Sequence, residues 1–282
     1  MVTPFKTNKD IDFDALEKLT TFLIDNGTDY LVVQGTTGES PVLSAVEKLK
    51  ILDTVIRINN GRLPIVYGIG GNNTAEVAKQ LANFNVSGVD AFLSVSPYYN
   101  KPTQAGIIEH YKVISEHSKL PIILDNVPGR TASNVLAETT IEIAKQCKNV
   151  IAVKEASGNF EQIMDIIQNK PDNFLVISGD DAITMPFVAA GGDGVISVVG
   201  NGFPKLFSDM VNSGLKGDIS TSKKLHYKVL PIIKHLFSEG NPAGIKETLV
   251  HLNIMQRNVR LPLVSVSEKT RNIIIDITKS LY

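Results

Sequence analysis

Lys154 is the residue whose type and position most clearly indicate chemistry. It lies in the segment NVIAVKEASG, at the end of an apolar, β-branched run that predicts a buried strand. Burying an ammonium group is unfavourable unless the group is paired or neutralised, and burial lowers its pKa. A lysine held as a free amine can attack a carbonyl carbon and form a Schiff base. The structural alternatives are a lysine that reaches solvent at the strand end or one that pairs with Glu155.

Polar side chains also follow the other predicted strands, at the ends where barrel active sites are built. They lie in GTTGES (35–40), SPYYNKP (96–102), DNVPGRT (125–131), SGDD (178–181) and GVISVVGN (194–201). Structural interpretations exist for each: Ser40 or Ser44 could cap the next helix. Tyr98 and Tyr99 could fill loops, and Arg130 could form an exposed ion pair. Their convergence at one set of strand ends favours a functional site around the amine.

The spacing of apolar runs predicts an α/β fold. These runs alternate with amphipathic stretches about every 25–30 residues, as in a parallel sheet with crossover helices. The predicted strands are residues 30–35, 63–70, 89–96, 120–127, 149–156, 174–180 and 193–199. A TIM (β/α)8 barrel needs one more, and residues 1–3 are the candidate for a truncated or frayed first strand. A doubly wound sheet is the alternative, but GIGGNN (68–73) lacks the dinucleotide-binding spacing.

The organisation of the chain changes after about residue 216. The alternation of strands and helices stops there, and only helical patterns follow, beginning with LHYKVLPIIKHLF. We therefore predict a barrel domain over residues 1–216 and a C-terminal helical domain over residues 217–282.

Composition limits the classes of function. The chain has 282 residues, 43% hydrophobic content, a net charge of −1 and a pI near 6.5, so nothing attracts it to nucleic acid or an anionic membrane. It has no signal peptide, no apolar run of about 18 residues and a single cysteine, Cys147, which together predict a cytoplasmic protein without disulfides. Its five histidines lack metal-ligand spacing, so neither a metal nor a cofactor is expected.

The motifs taken together resemble one family. GTTGES, SVSPYYNKPTQ, NVPGRT, AVKEASGN and ISGDD, followed by NPAGIK (241–246) and VRLPLV (259–264), are similar in kind and order to the dihydrodipicolinate synthase family along essentially the whole chain. These are class I, Schiff-base aldolases on a TIM barrel. The resemblance implies that Lys154 condenses with pyruvate and that Thr36 and Tyr99 belong to a proton relay. Tyr99 would reach the neighbouring subunit's site in a homotetramer built as a dimer of tight dimers.

The same resemblance implies the binding residues. Thr37, Gly179 of the SGDD segment and the backbone around Ile196 would bind pyruvate. Arg130 would hold the carboxylate of aspartate semialdehyde, the second substrate in lysine and diaminopimelate synthesis. A possible inhibitor site for lysine matches at Ser40, Asn72, Glu76 and Tyr98, although Ala45 and Lys48 stand where regulated members often carry histidines.

Two features depart from the family pattern. Position 125 is Asp, where the family has the third relay residue, a tyrosine next to the Schiff base. A phenol with a pKa near ~10 can exchange a proton there, whereas a carboxyl group with a pKa near ~3.9 is normally ionised and favours the ammonium form of Lys154. The family also has several more residues before VTPF, completing its first strand. Asp125 therefore predicts a barrel that binds pyruvate and turns over slowly.

Three functions compete on the sequence alone. The first is condensation of pyruvate with aspartate semialdehyde. The second is a sister aldolase that cleaves N-acetylneuraminate or a 2-keto-3-deoxy sugar acid, which Arg130 disfavours because a sugar site needs neutral partners. The third is a catalytically weak barrel that serves as a binding or assembly subunit.

Overall fold

The computed structural model describes residues 1–282, which form two compact units. Unit 1 comprises Met1–Ile65 and Ser197–Tyr282, and unit 2 comprises Val66–Ile196. The strands are β1 (Leu31–Val33), β2 (Ile65–Gly68), β3 (Ala91–Val95), β4 (Ile122–Asn126), β5 (Val150–Glu155), β6 (Leu175–Ser178) and β7 (Gly194–Val195). The helices are α1 (Phe13–Asp25), α2 (Ala45–Asn59), α3 (Thr74–Asn83), α4 (Gln104–His117), α5 (Pro128–Thr131), α6 (Ala137–Gln146), α7 (Phe160–Asn169), α8 (Thr184–Ala189), α9 (Pro204–Leu215), α10 (Ile219–Phe237), α11 (Ala243–His251) and α12 (Glu268–Leu281). Each strand lies within a range predicted from the sequence.

The sheet of unit 2 is parallel and places its loops at one edge. Strands that are consecutive in the chain, from β2 to β7, are hydrogen-bonded neighbours. Every residue of β4 is buried, and β3 is buried except at its last residue, as expected for strands covered on both faces. Because all the strands run in the same direction, their carboxyl ends share an edge. The loops 96–102, 125–131 and 178–181 begin at that edge.

Unit 1 contains β1 and the helices that begin and end the chain. Leu31 at the start of β1 donates its N–H to Pro64 O over 3.0 Å, so β1 lies beside the residue that precedes β2. Helix α2 begins with a capping box, in which Glu47 N–H donates to Ser44 Oγ and Ser44 N–H donates to a Glu47 carboxylate oxygen. Ser44 is therefore the cap, and Ser40 lies in a short 3₁₀ turn before it.

The first residues of unit 1 do not form a regular strand. The Met1 amino group donates to Val32 O over 2.7 Å, and Val2 N–H donates to Asn201 Oδ1 over 3.0 Å. Val2 is nevertheless fully packed, with 1% of its surface exposed. This arrangement agrees with the expectation of a frayed first strand, since the backbone polar groups are satisfied without a regular ladder.

Helices alone follow residue 216, in agreement with the sequence. Helices α10, α11 and α12 pack on one another within unit 1. No helix in the structure is both long and apolar enough to span a membrane. The assignment of residues 1–216 and 217–282 to separate domains stays a prediction.

Candidate active site

Lys154 forms a buried ion pair with Asp125 across two neighbouring strands. The two residues are register partners on β5 and β4, so their side chains project from the same face of the sheet. Lys154 Nζ lies 3.0 Å from Asp125 Oδ1, and the two side chains are 13% and 5% exposed. The amine thus lies near the carboxyl end of its strand and is mostly enclosed.

The side chain of Glu155, the residue that follows Lys154 in the sequence, lies on the opposite face of the sheet. Its side chain is fully buried and accepts hydrogen bonds from Asn126 Nδ2 at 2.8 Å, Gln162 Nε2 at 3.1 Å and Ser157 N–H at 2.6 Å. These donors satisfy both of its oxygens. The alternative in which Lys154 pairs with Glu155 is therefore wrong, because alternation along a strand separates adjacent side chains.

Gly179 leaves the space through which the Lys154 side chain runs. A Cβ atom at position 179 would lie 2.9 Å from Lys154 Cε and 2.7 Å from Ala156 Cβ, closer than such atoms approach. Ile196 follows β7 and donates its N–H to Ser178 O over 2.9 Å. Any contact from the Ile196 backbone to a ligand would therefore use its carbonyl oxygen.

Tyr111 is a phenol close enough to Asp125 to feel its charge. Tyr111 of α4 is fully buried, and its hydroxyl donates to Ser94 O over 2.8 Å. Burial, reinforced by the negative charge of Asp125, holds the pKa of Tyr111 well above its usual value. Tyr111 consequently keeps its proton, which is engaged in the hydrogen bond to Ser94 O.

Arg130 and Tyr99 lie on loops that follow β4 and β3. Arg130 is on the short helix α5, exposed, and no carboxylate lies within ion-pair distance of its guanidinium. Tyr99 is 86% exposed and has a left-handed backbone with φ of 73°. Such a conformation is unfavourable for a bulky residue, so the loop fixes the direction of an otherwise free phenol.

Three of the residues expected at an inhibitor site lie in unit 2. Asn72 Nδ2 donates to Tyr98 O over 3.1 Å, and Tyr98 is 41% exposed. Glu76 is exposed in the first turn of α3, and the fourth residue, Ser40, belongs to unit 1. The structure therefore brings Asn72 and Tyr98 together through the backbone of Tyr98.

The GTTGES segment of unit 1 forms a tight turn that presents two hydroxyl groups. Thr36 is exposed and Thr37 is half-buried, both in a 3₁₀ turn that ends at Gly38. Thr3 Oγ1 donates to Gly38 O over 2.6 Å, and Glu39 has a left-handed backbone with φ of 56°. A strained non-glycine residue at this point requires contacts that hold it in place.

Lys246 supplies those contacts, and sequence reasoning assigned it no role. Its side chain and that of Glu39 are both 0% exposed, with Nζ 2.6 Å from Glu39 Oε1. Lys246 Nζ also donates to Thr3 O at 2.8 Å and to Asn258 O at 2.7 Å, and Arg260 N–H donates to the second Glu39 oxygen at 2.9 Å. Burial lowers the pKa of Lys246 to about 8, opposed by the charge of Glu39, so the ammonium form persists at neutral pH.

Asn241 is a second residue that the sequence analysis left without a function. It precedes α11, is 7% exposed and donates from Nδ2 to Thr37 Oγ1 over 2.9 Å. The NPAGIK segment, which contains both Asn241 and Lys246, was recognised as a family motif. Their place in that motif was the available signal.

Comparisons with known proteins agree with this fold. The sequence profile described as the Dihydrodipicolinate synthetase family matches residues 1–281. The 4-hydroxy-tetrahydrodipicolinate synthase of Flavobacterium psychrophilum is 52% identical over 281 residues, covering 100% of this chain and 96% of the relative. Dihydrodipicolinate synthase from Thermotoga maritima superposes with a TM-score of 0.97 at 40% identity, covering 100% of this chain and 96% of the other. The chloride-inhibited enzyme from Acinetobacter baumannii, solved with pyruvate, gives a TM-score of 0.96 at 36% identity, with coverage of 100% and 96%.

The fold and the strand-end lysine define a TIM-barrel enzyme of the class I aldolase type with C-terminal helices. The chain belongs to the Dihydrodipicolinate synthetase family. The fold class and the family predicted from the sequence are both confirmed.

We predict that Lys246→Met destabilises the protein strongly. The variant removes the ammonium group and leaves the Glu39 carboxylate buried without its partner, which typically costs ~3–5 kcal/mol. Urea unfolding followed by circular dichroism measures the change. Lys205→Met is the matched control, because Lys205 pairs with Asp209 at the surface of the same unit, where ion pairs contribute ~0–1 kcal/mol. Equal free energies of unfolding for the two variants would contradict the prediction.

Proposed function

We propose that the chain catalyses the condensation of pyruvate with L-aspartate 4-semialdehyde to give 4-hydroxy-tetrahydrodipicolinate, and that Lys154 carries the covalent chemistry. The observation that supports this most directly is a mostly enclosed lysine amine at a strand end, in a chain that belongs to this family over its full length. All of the relatives compared at up to 52% identity carry the same enzyme name. A sister aldolase and a non-catalytic barrel have no comparable support.

The reaction begins at the Lys154 amine. After losing a proton, its nitrogen attacks C2 of pyruvate, and loss of water from the carbinolamine leaves a protonated imine. Loss of a methyl proton gives an enamine, whose carbon forms a bond with the aldehyde carbon of the second substrate. The amino group of that substrate then attacks the imine carbon and displaces Lys154 as the ring closes.

The remaining predicted residues have proposed roles at separate steps. Thr37 binds the pyruvate carboxylate, the backbone around Ile196 contacts another part of pyruvate, and Thr36 passes protons with Tyr99. Arg130 suits the carboxylate of the aldehyde because its guanidinium is exposed and unpaired, and it presents two parallel donors.

Asp125 has two opposite effects in this mechanism. Before the imine forms, the carboxylate accepts a hydrogen bond from Lys154 Nζ over 3.0 Å, and the nitrogen must leave this ion pair to attack a carbonyl carbon. After the imine forms, the same negative charge stabilises the iminium cation. The carboxylate cannot donate the proton that a phenol would donate, so we propose that the reaction is slow rather than absent.

We also propose a homotetramer built as a dimer of dimers, in which Tyr99 contributes to the site of a neighbouring subunit. Its exposure of 86% on a strained loop supports a contact outside its own chain. The enzyme would act in the cytoplasm. A lysine-binding inhibitor site at Ser40, Asn72, Glu76 and Tyr98 is a further proposal, with weakened control because Ala45 and Lys48 replace the usual histidines.

Covalent trapping tests the central assignment. Incubation with pyruvate and borohydride should add a reduced pyruvate adduct to Lys154, located by peptide mass spectrometry. Lys154→Arg keeps the positive charge and should show no adduct at any position. Trapping at another lysine while turnover continues would refute the role of Lys154. Parallel incubations with aspartate semialdehyde and with sugar-derived aldehydes identify the second substrate.

Arg130→Lys should raise KM for aspartate semialdehyde much more than KM for pyruvate. Lysine keeps the charge but loses the bidentate contact, and we expect a rise of roughly tenfold. Steady-state kinetics with each substrate varied in turn measures the two values. Arg57→Lys, in an exposed ion pair with Glu17, is the control. Equal changes in both KM values would argue against the assignment.

Asp125→Tyr should raise kcat by at least about tenfold, because a positioned acid–base group contributes ~10²–10⁴ in rate. Asp125→Asn separates the effects of charge and proton transfer, since it removes the carboxylate without adding a phenol. We expect Asn to speed imine formation, measured by the rate of trapping, with a smaller gain in kcat than Tyr. If Asn and Tyr raise kcat equally, the phenol is not the missing component.

A further inference from the structure

The hydrogen bond between Asn241 and Thr37 determines whether the Thr37 hydroxyl is free to donate a hydrogen bond to a ligand. A threonine hydroxyl has one proton to donate and two lone pairs that accept. Asn241 Nδ2 donates to Thr37 Oγ1 over 2.9 Å, which occupies a lone pair and leaves the proton free. A hydroxyl in this state is a donor, which is what a carboxylate requires.

In its present orientation the Asn241 amide donates a hydrogen bond from Nδ2 to Thr37, while its own oxygen, Oδ1, accepts none. Asn241 is 7% exposed, and its Oδ1 atom is buried without a hydrogen-bond partner. A buried, unsatisfied oxygen is unfavourable, so this arrangement needs a compensating role. Rotating the amide would turn Oδ1 towards Thr37, and the hydroxyl would then donate its proton to Asn241.

Asn241 is not needed to hold the turn itself. Gly38, next to Thr37, is held through its carbonyl by Thr3 Oγ1 at 2.6 Å. Glu39 is held by Lys246 Nζ and by Arg260 N–H. Because the backbone is held independently, the contact from Asn241 acts on the hydroxyl group alone.

We propose that Asn241 is a positioning residue that keeps the Thr37 hydroxyl as a hydrogen-bond donor to the carboxylate of pyruvate. This inference rests on the proposed function, in which Thr37 binds that carboxylate. Asparagine suits the role because it donates without carrying charge. Aspartate at position 241 would accept the hydroxyl proton and place a negative charge near the anion.

The test measures imine trapping at the Lys154 peptide while the concentration of the carbonyl compound is varied. Two probes are used, pyruvate and acetaldehyde, because acetaldehyde forms an imine but has no carboxylate. The variants are Asn241→Asp and Asn241→Ala. Asn253→Asp is the matched control, since Asn253 is exposed and adds the same charge within the same unit.

We expect Asn241→Asp to raise the half-saturating concentration of pyruvate by roughly tenfold to hundredfold, the range for lost hydrogen bonds to charged groups. Asn241→Ala should raise it less, and Asn253→Asp should leave it unchanged. The half-saturating concentration of acetaldehyde should not change in any variant. If the role of Asn241 were merely structural, the values for pyruvate and acetaldehyde would change together. In a Thr37→Val background, Asn241→Ala should have no further effect.

Equal shifts for pyruvate and acetaldehyde, or no shift in Asn241→Asp, would overturn the inference. If Asn241→Asp does not fold, the ratio of the two probes in Asn241→Ala decides the question. Failure of both variants to fold would make Asn241 a folding determinant and also overturn the inference. The proposed function fails in a different way, through absence of an adduct on Lys154 in the unaltered chain or an unchanged pyruvate response in Thr37→Val.

Discussion

The register between β4 and β5 places Asp125 beside Lys154, and the chemistry proposed for this chain depends on that placement. Side chains alternate along a strand, so this register also places Asn126 beside Glu155 on the other face. One face therefore carries an amine and a carboxylate that remain partly open, whereas the other carries a closed network around Glu155. A shift of one residue would exchange the two sets.

Lys246 and Lys154 differ in how many hydrogen bonds they make and in how exposed they are. Lys246 donates to Glu39 and to two backbone carbonyl oxygens, and its side chain is 0% exposed. Its three protons are all engaged, so it acts as a fixed cation. Lys154 makes one hydrogen bond, to Asp125, and is 13% exposed. Because Lys154 makes a single hydrogen bond and is partly exposed, its amine is accessible to a substrate.

Asp125 changes the chemistry of the site more than its packing. The carboxylate is satisfied by an ion pair with Lys154, so the fold tolerates it at a position that is 4% exposed. In the proposed mechanism, a carboxylate at this position cannot supply the proton that a phenol would supply. The proton of the nearby Tyr111 hydroxyl is engaged by Ser94 O over 2.8 Å, and burial with the Asp125 charge raises the pKa of Tyr111. The family fold is thus compatible with a site whose acid–base chemistry is altered.

The sequence by itself determined the strands and the family, because apolar periodicity and motif order are local properties of the chain, and it predicted Lys154 as the reactive residue. It also predicted Ser44 as a possible cap and residues 1–3 as a truncated or frayed strand. Only the tertiary structure decided which side chains pair with one another at the site. Whether Lys154 pairs with Asp125 or Glu155 depends on strand register, and register joins residues far apart in sequence. Lys246 with Glu39, and Asn241 with Thr37, are separated by more than 200 residues, so no local pattern could reveal contacts that exist only after folding.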